Sequence, residues 1–173
     1  MDELEPFDEL ASELRMGAGR QFRDEAEDLE RLADLARLRR RTLAGIAAEA
    51  FHRGNVLAAS TGTRHYKGPI VDVGADFVTI DSGAELVDLR LSAFVLTLQP
   101  GRRHALPTPS PQSFRARLVE CEGMVVRLVA VDQEWAGLVA AVARDHLLVV
   151  DGGTEWFVPD KAVVAVVRTP FRQ

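Results

Sequence analysis

Residues 68–83 read Gly-Pro-Ile-Val-Asp-Val-Gly-Ala-Asp-Phe-Val-Thr-Ile-Asp-Ser-Gly, and residues 137–152 read Gly-Leu-Val-Ala-Ala-Val-Ala-Arg-Asp-His-Leu-Leu-Val-Val-Asp-Gly. The two stretches align without a gap at an offset of 69 residues. Carried outward, that offset pairs Gly54 with Gly123, Val56 with Val125, Gly68 with Gly137, Val73 with Val142, Asp76 with Asp145, Gly83 with Gly152, Ala93 with Ala162 and Val95 with Val164. Tyr66 falls opposite Trp135, and Ile70, Val78, Ile80 and Leu89 fall opposite Val139, Leu147, Val149 and Val158. The match lies in the hydrophobic pattern and in glycines placed where turns are needed, which is the signature of one supersecondary unit used twice.

Within each copy the period is close to 2 and β-branched residues dominate, so the copies read as short strands. The first copy places strands around 56–59, 68–73, 77–80, 86–91 and 94–98, and strands resume near Phe114 and run to about Val167. Gly68 and Gly137 sit inside strands, where a missing Cβ permits a sharp bend or a close backbone approach. Asp76 and Asp145 suit tight turns whose backbone amides a short carboxylate can cap. Five short strands with such kinks close into a small barrel better than they spread as an open sheet, because closure removes exposed edges. The duplication therefore predicts that 54–98 superposes on 123–167 with Gly68 and Gly137 at equivalent bends. All strands in one open sheet, or the two glycines in unrelated places, would overturn the expectation of duplicated barrels.

The expected fold is α+β: an N-terminal long helix followed by two small five-stranded Sm/SH3-like β-barrels packed side by side. The parts are an acidic flexible or short helical arm over 1–20, a helix over 21–53, a first barrel over 54–100, a Pro-rich linker over 101–113 and a second barrel over 114–173. Helix, then Gly-x-(Ile/Val)-x-x-Val-x-x-Asp-(aromatic)-(Val/Leu)-x-(Ile/Val), then a turn, then Ala-(Phe/Val)-Val-x-x-(Leu/Val), resembles the Sm-like (Hfq-type) barrels over roughly 43–100 and 115–168. SH3-like barrels share the pattern. The resemblance implies an RNA ligand. Here, however, the turn between Val73 and Phe77 is about one residue longer, and the family's aromatic-Lys-His signature is replaced by Leu89-Arg90-Leu91 and Val158-Pro159-Asp160. The family's RNA pocket is therefore not carried over residue by residue.

The helical segment carries its own pattern. Leu4, Phe7, Leu10 and Leu14 form one stripe in the arm, which Gly17-Ala18-Gly19 then breaks. From Gln21 to His52, Phe22, Leu29, Ala36, Leu43 and Ala50 recur every seven residues, with Leu32 and Ile46 at complementary positions. A helix of ~30 residues spans ~45 Å, longer than a small barrel can cover. Phe22, Leu29, Leu32 and Leu43 are thus candidate oligomer contacts, and the expected partners are a second copy of the chain and another protein.

Charge is uneven. Residues 1–36 carry −8 and residues 37–173 carry +3, within a net charge of −5. Arg37, Arg39, Arg40, Arg41, Arg53, Arg64 and Lys67 face a single acid, Glu49, between positions 37 and 67. Arg39, Arg40, Arg41, Arg64, Tyr66 and Lys67 are the nucleic-acid candidates, with Tyr66 able to stack on a base. A long helix with acids early and bases late gives the same asymmetry without any ligand. Trp156-Phe157-Val158-Pro159 reads as a strand with one core aromatic, or else as a protein contact.

No catalytic, cofactor or metal constellation is expected. Cys121 is the only cysteine, and the four histidines show no ligand spacing. Asp72, Asp76 and Asp81 read as solvated turn carboxylates rather than a cation site. Glu120 and Glu122 are expected to raise the Cys121 pKa. No apolar run reaches the ~18 residues of a membrane span, and the first residues lack the basic and apolar pattern of a secretory signal. The sequence points to a non-enzymatic cytoplasmic interaction or regulatory module, with RNA binding as the alternative.

Overall fold

A computed structural model describes residues 27–62, 64–101 and 112–169. The acidic arm, Phe22 and residues 102–111 of the linker lie outside the described residues. The chain divides into two compact units, 1–41 and 42–173.

In the first unit residues 27–40 are helical, here α1. The continuous helix expected over 21–53 is not found. Arg41 and Thr42 leave the helical conformation, and a separate helix, α2, begins at Leu43 and runs Leu43–His52. The cause is local: Thr42 is extended (φ −97, ψ 159) and its hydroxyl accepts a hydrogen bond from the Gly45 N–H at 3.0 Å. A threonine that caps a new helix cannot also continue the old one. The seven-residue stripe through Leu29, Ala36, Leu43 and Ala50 therefore never runs along one helix.

The second unit is mostly antiparallel β. After α2 come β1 (Val56–Thr61), β2 (Arg64–Val73), β3 (Phe77–Asp81), β4 (Leu86–Arg90), a 3-10 turn over Leu91–Ala93 and β5 (Val95–Gln99). Then come α3 (Phe114–Glu120), β6 (Val125–Val129), β7 (Glu134–Val142), β8 (His146–Asp151), β9 (Thr154–Pro159), a 3-10 turn over Asp160–Ala162 and β10 (Ala165–Arg168). All ten strands belong to one open sheet in the order β5-β1-β2-β3-β4-β10-β6-β7-β8-β9. The α+β class with two closed barrels is thus corrected. Closure would need β4 to pair with β5, but β4 gives its outer edge to β10. The residues after Phe114 also differ from expectation, because they form α3 and not a strand. The Ser113 hydroxyl accepts from the Ala116 N–H at 3.2 Å, and Phe114, Leu118 and Cys121, spaced four and three apart, are buried.

The single open sheet is the outcome that overturns duplicated barrels; the elements nevertheless recur in the same order at the 69-residue offset. The strand order β5-β1-β2-β3-β4 in one half is the order β10-β6-β7-β8-β9 in the other. The register of β2 with β3 shifts between Ile70 and Asp72, and that of β7 with β8 between Val139 and Ala141. Leu91 N–H donates to the Asp76 carbonyl and Asp160 N–H to the Asp145 carbonyl, both at 2.9 Å. Gly68 and Gly137 occupy the same place: a Cβ on Gly68 would press into the Asp81 carbonyl, and one on Gly137 would lie 2.6 Å from the Val150 carbonyl.

Two hydrophobic clusters support the sheet. One gathers Ala47, Ala50 and Phe51 of α2 with Leu57, Ile80 and Leu89, and the other gathers Phe114, Leu118 and Cys121 with Leu128, Leu147 and Val149. Strand β10 feeds both, with Ala165 and Val167 in the first cluster and Val166 in the second. This follows from the side-chain period of 2 in a strand covered on both faces.

Candidate functional site

The nucleic-acid candidates fall in both compact units. Arg39, Arg40 and Arg41 belong to the first compact unit, whereas Arg64, Tyr66 and Lys67 lie on β2 in the second. Arg64 is committed to structure: its Nη1 donates to Glu134 Oε2 at 2.9 Å and its Nη2 to the Gln133 carbonyl at 3.3 Å. Hydrogen bonding to Glu134 holds the Arg64 guanidinium above its ordinary pKa. Tyr66 is half-buried, its ring edge-on to Phe94 with centroids 5.9 Å apart, and burial raises its pKa. Only Lys67 of the three is exposed. Beside it is a cavity of about 360 Å³ lined by Ala58, Ser60, His65, Tyr66, Lys67 and Thr97. His65 lies within β2 and is exposed.

The carboxylates considered for a cation are otherwise engaged. Asp72 pairs with Arg117, Asp76 accepts from the Phe114 N–H at 2.6 Å, and Asp81 accepts from the Gly83 N–H at 2.7 Å. Among the described residues no group of three or more His, Cys, Asp or Glu is placed to hold a metal. Cys121 is buried and its pKa is raised to about 11, first by burial, with Arg168 and Arg117 opposing and Asp88 and Glu120 adding to the shift. The neighbouring acids are therefore a lesser cause than the apolar surroundings.

The densest polar structure lies at the junction of the two five-strand sets, where β4 pairs with β10. Asp88 of β4 is fully buried and accepts from Thr79 Oγ1 at 2.6 Å, from Arg168 Nε at 2.6 Å and from Arg168 Nη2 at 2.9 Å. Arg117 Nε lies 3.7 Å from the same carboxylate. Burial pulls the Arg168 pKa down, but the hydrogen bond and charge of Asp88 override it and hold the group above its ordinary value. Arg90 reaches across the junction, its Nε donating to the Val163 carbonyl at 3.0 Å and its Nη2 to the Asp160 carbonyl at 2.8 Å. Its guanidinium sits 4.6 Å from the centre of the Phe114 ring.

The two ends of the sheet have a different character. Among the described residues β5 pairs only with β1 and β9 only with β8. Val95 and Leu98 on β5 are 71% and 36% exposed, and Trp156 and Phe157 on β9 are 44% and 64% exposed. The sequence-based preference for a core aromatic in Trp156-Phe157 is corrected: only Val158 of that strand is buried. Sequence reasoning did not single out Leu98 or Val95, although their alignment with Val167 and Val164 held the signal.

No protein-family model and no curated protein matches this chain. The candidate oligomer contacts Leu29, Leu32 and Leu43 are exposed, as are Leu35 and Leu38 of α1. No helix among the described residues is long and apolar enough to cross a membrane.

Proposed function

We propose that the chain is a non-enzymatic protein-interaction module of the cytoplasm and that α1 is its docking arm. The observation that carries this reading is the exposure of the α1 leucines, with Leu29 at 67% and Leu32 at 61%. A helix of ~12–15 residues is marginal alone in water, and burial of an apolar stripe by a partner is the usual source of its stability. Contiguous exposed apolar side chains of this kind mark interaction surfaces. Replacing both Leu29 and Leu32 by Glu is expected to lower the mass measured by light scattering or to abolish capture of partner proteins. An unchanged mass and unchanged capture overturn the reading.

RNA binding is the second reading, favoured by the cavity beside Tyr66 and Lys67, whose volume of about 360 Å³ suits a small planar group. It predicts salt-sensitive binding of single-stranded RNA that falls with Lys67→Ala and with joint replacement of Arg39, Arg40 and Arg41 by Ala. Absence of binding at low ionic strength removes it.

A further inference from the structure

We infer that the two ends of the sheet are complementary, and that β9 of one molecule pairs antiparallel with β5 of a second copy in one defined register. The inference stands apart from the docking role of α1. Its basis is the junction already made inside the chain. At the 69-residue offset, β10 is the counterpart of β5 and β9 is the counterpart of β4. Within the chain β4 and β10 pair, with Ala165 opposite Leu89, Val166 opposite Asp88, Val167 opposite Val87 and Arg168 opposite Leu86. Among the described residues, both strands that would make the same junction again, β5 and β9, keep an unpaired edge. The step that relates residues 54–99 to 123–168, taken once more, sets another five-strand sheet half against β9. Only a second copy of this chain carries that half with a free β5.

Residue by residue, the internal register translates to Leu96 opposite Val158, Thr97 opposite Phe157, Leu98 opposite Trp156 and Gln99 opposite Glu155. Burial supports this translation. At the internal junction Val87, Asp88 and Val167 are 1%, 0% and 3% exposed, whereas their counterparts Trp156, Phe157 and Leu98 are among the exposed large apolar residues. Trp156 and Leu98 would meet on the side where Val87 and Val167 join a core, next to the already buried Val158.

The chemistry of the seam also changes in a consistent way. Asp88 corresponds to Phe157, and its partners Thr79, Arg168 and Arg117 correspond to Leu148, Gln99 and Ala48. The buried ion-pair cluster thus has an uncharged counterpart, with Asp88, Arg168 and Arg117 all replaced together, while Glu155, opposite Gln99 at the end of the seam, is exposed. An unpaired strand edge bearing large apolar side chains is otherwise a template for indiscriminate pairing, and such edges are normally blunted by charge or covered. Because the two surfaces differ, the contact is head-to-tail, and its repetition closes a ring or extends a filament.

The test uses the full chain with single cysteines, Leu98→Cys in one preparation and Trp156→Cys in another. Directly opposed residues have Cβ atoms ~4.5–5.5 Å apart, near disulfide reach. Thr97→Cys with Phe157→Cys forms a second pair from the alternate class of antiparallel positions. The native Cys121 is buried and does not compete. Under mild oxidation, mixing the two partners of either pair is expected to give a covalent dimer joined at 98–156 or at 97–157. Each variant oxidised alone is expected to stay uncrosslinked. Adding Phe157→Lys to Trp156→Cys should cut the 98–156 yield at least tenfold while circular dichroism stays unchanged. Self-crosslinking of Trp156→Cys would show like-to-like edge pairing and overturn the proposal. Failure of both pairs to crosslink would also overturn it; a high mass by light scattering in that case would leave the α1 reading standing.

Discussion

Asp88→Ala is the substitution whose cost the structure bounds best. The carboxylate is fully buried and accepts three hydrogen bonds, one from Thr79 and two from Arg168. Its removal takes a carboxylate from two poorly exposed cations, since the side chains of Arg168 and Arg117 are only 16% and 14% exposed. Arg117 keeps Asp72 and Glu120, but Arg168 has no other carboxylate among its described ion pairs. Breaking a buried pair from one side typically costs about 3–5 kcal/mol, since the remaining charge stays desolvated. With an m-value of roughly 2 kcal/mol per molar urea, the midpoint should fall by about 2 M. The double substitution Asp88→Phe with Arg168→Gln copies what the outer seam carries at 157 and 99. It should cost clearly less than the sum of the two single changes, because no uncompensated charge remains. Equilibrium urea unfolding followed by circular dichroism measures all four proteins. A cost for Asp88→Ala under about 1 kcal/mol, the range of a surface ion pair, would refute the account of the junction.

Gly68→Ala is expected to destabilise by roughly 2 kcal/mol or more, and Gly137→Ala by less, because the added methyl meets backbone in both cases but more closely at Gly68; thermal unfolding of the two variants ranks them. The raised Cys121 pKa has a definite sign. The thiol ionises near pH 9 when unfolded and near 11 when folded, so its contribution is intact below about pH 9 and is lost as pH rises toward 11. Wild type should therefore lose up to roughly 2–3 kcal/mol more than Cys121→Ala over that interval in parallel urea titrations. The same burial should keep Cys121 unmodified by iodoacetamide at pH 8 until denaturant is added.

Much of the strand layout was legible in the sequence. Alternation and turn glycines placed β1 to β5 within a few residues, and the offset of 69 located the in-strand glycines and the turn aspartates. What could not be read was which strands meet. Local pattern is the same whether β4 pairs with β5 or with β10, because the choice is made by contacts some 80 residues apart, such as Arg168 with Asp88. The break at Thr42 was missed because the heptad pattern outweighed a capping residue in the middle of it. Helix α3 was missed because Phe114 was read as the start of a strand, although Ser113 followed by Phe114, Leu118 and Cys121 has helical spacing. Of the nucleic-acid candidates, Arg64 is held by Glu134, which charge counting could not show.

Strand β10 bridges two cores and is made last of the ten. On a ribosome the first sheet half can collapse around Phe51 and Leu57, but its β4 edge waits for a strand synthesised roughly eighty residues later. Contacts this distant in sequence carry a large loop-closure cost and slow the search for the native state. The two halves are therefore expected to reach their native form in one concerted step governed by arrival of β10, and an incomplete chain would meanwhile present β4 as a second open edge.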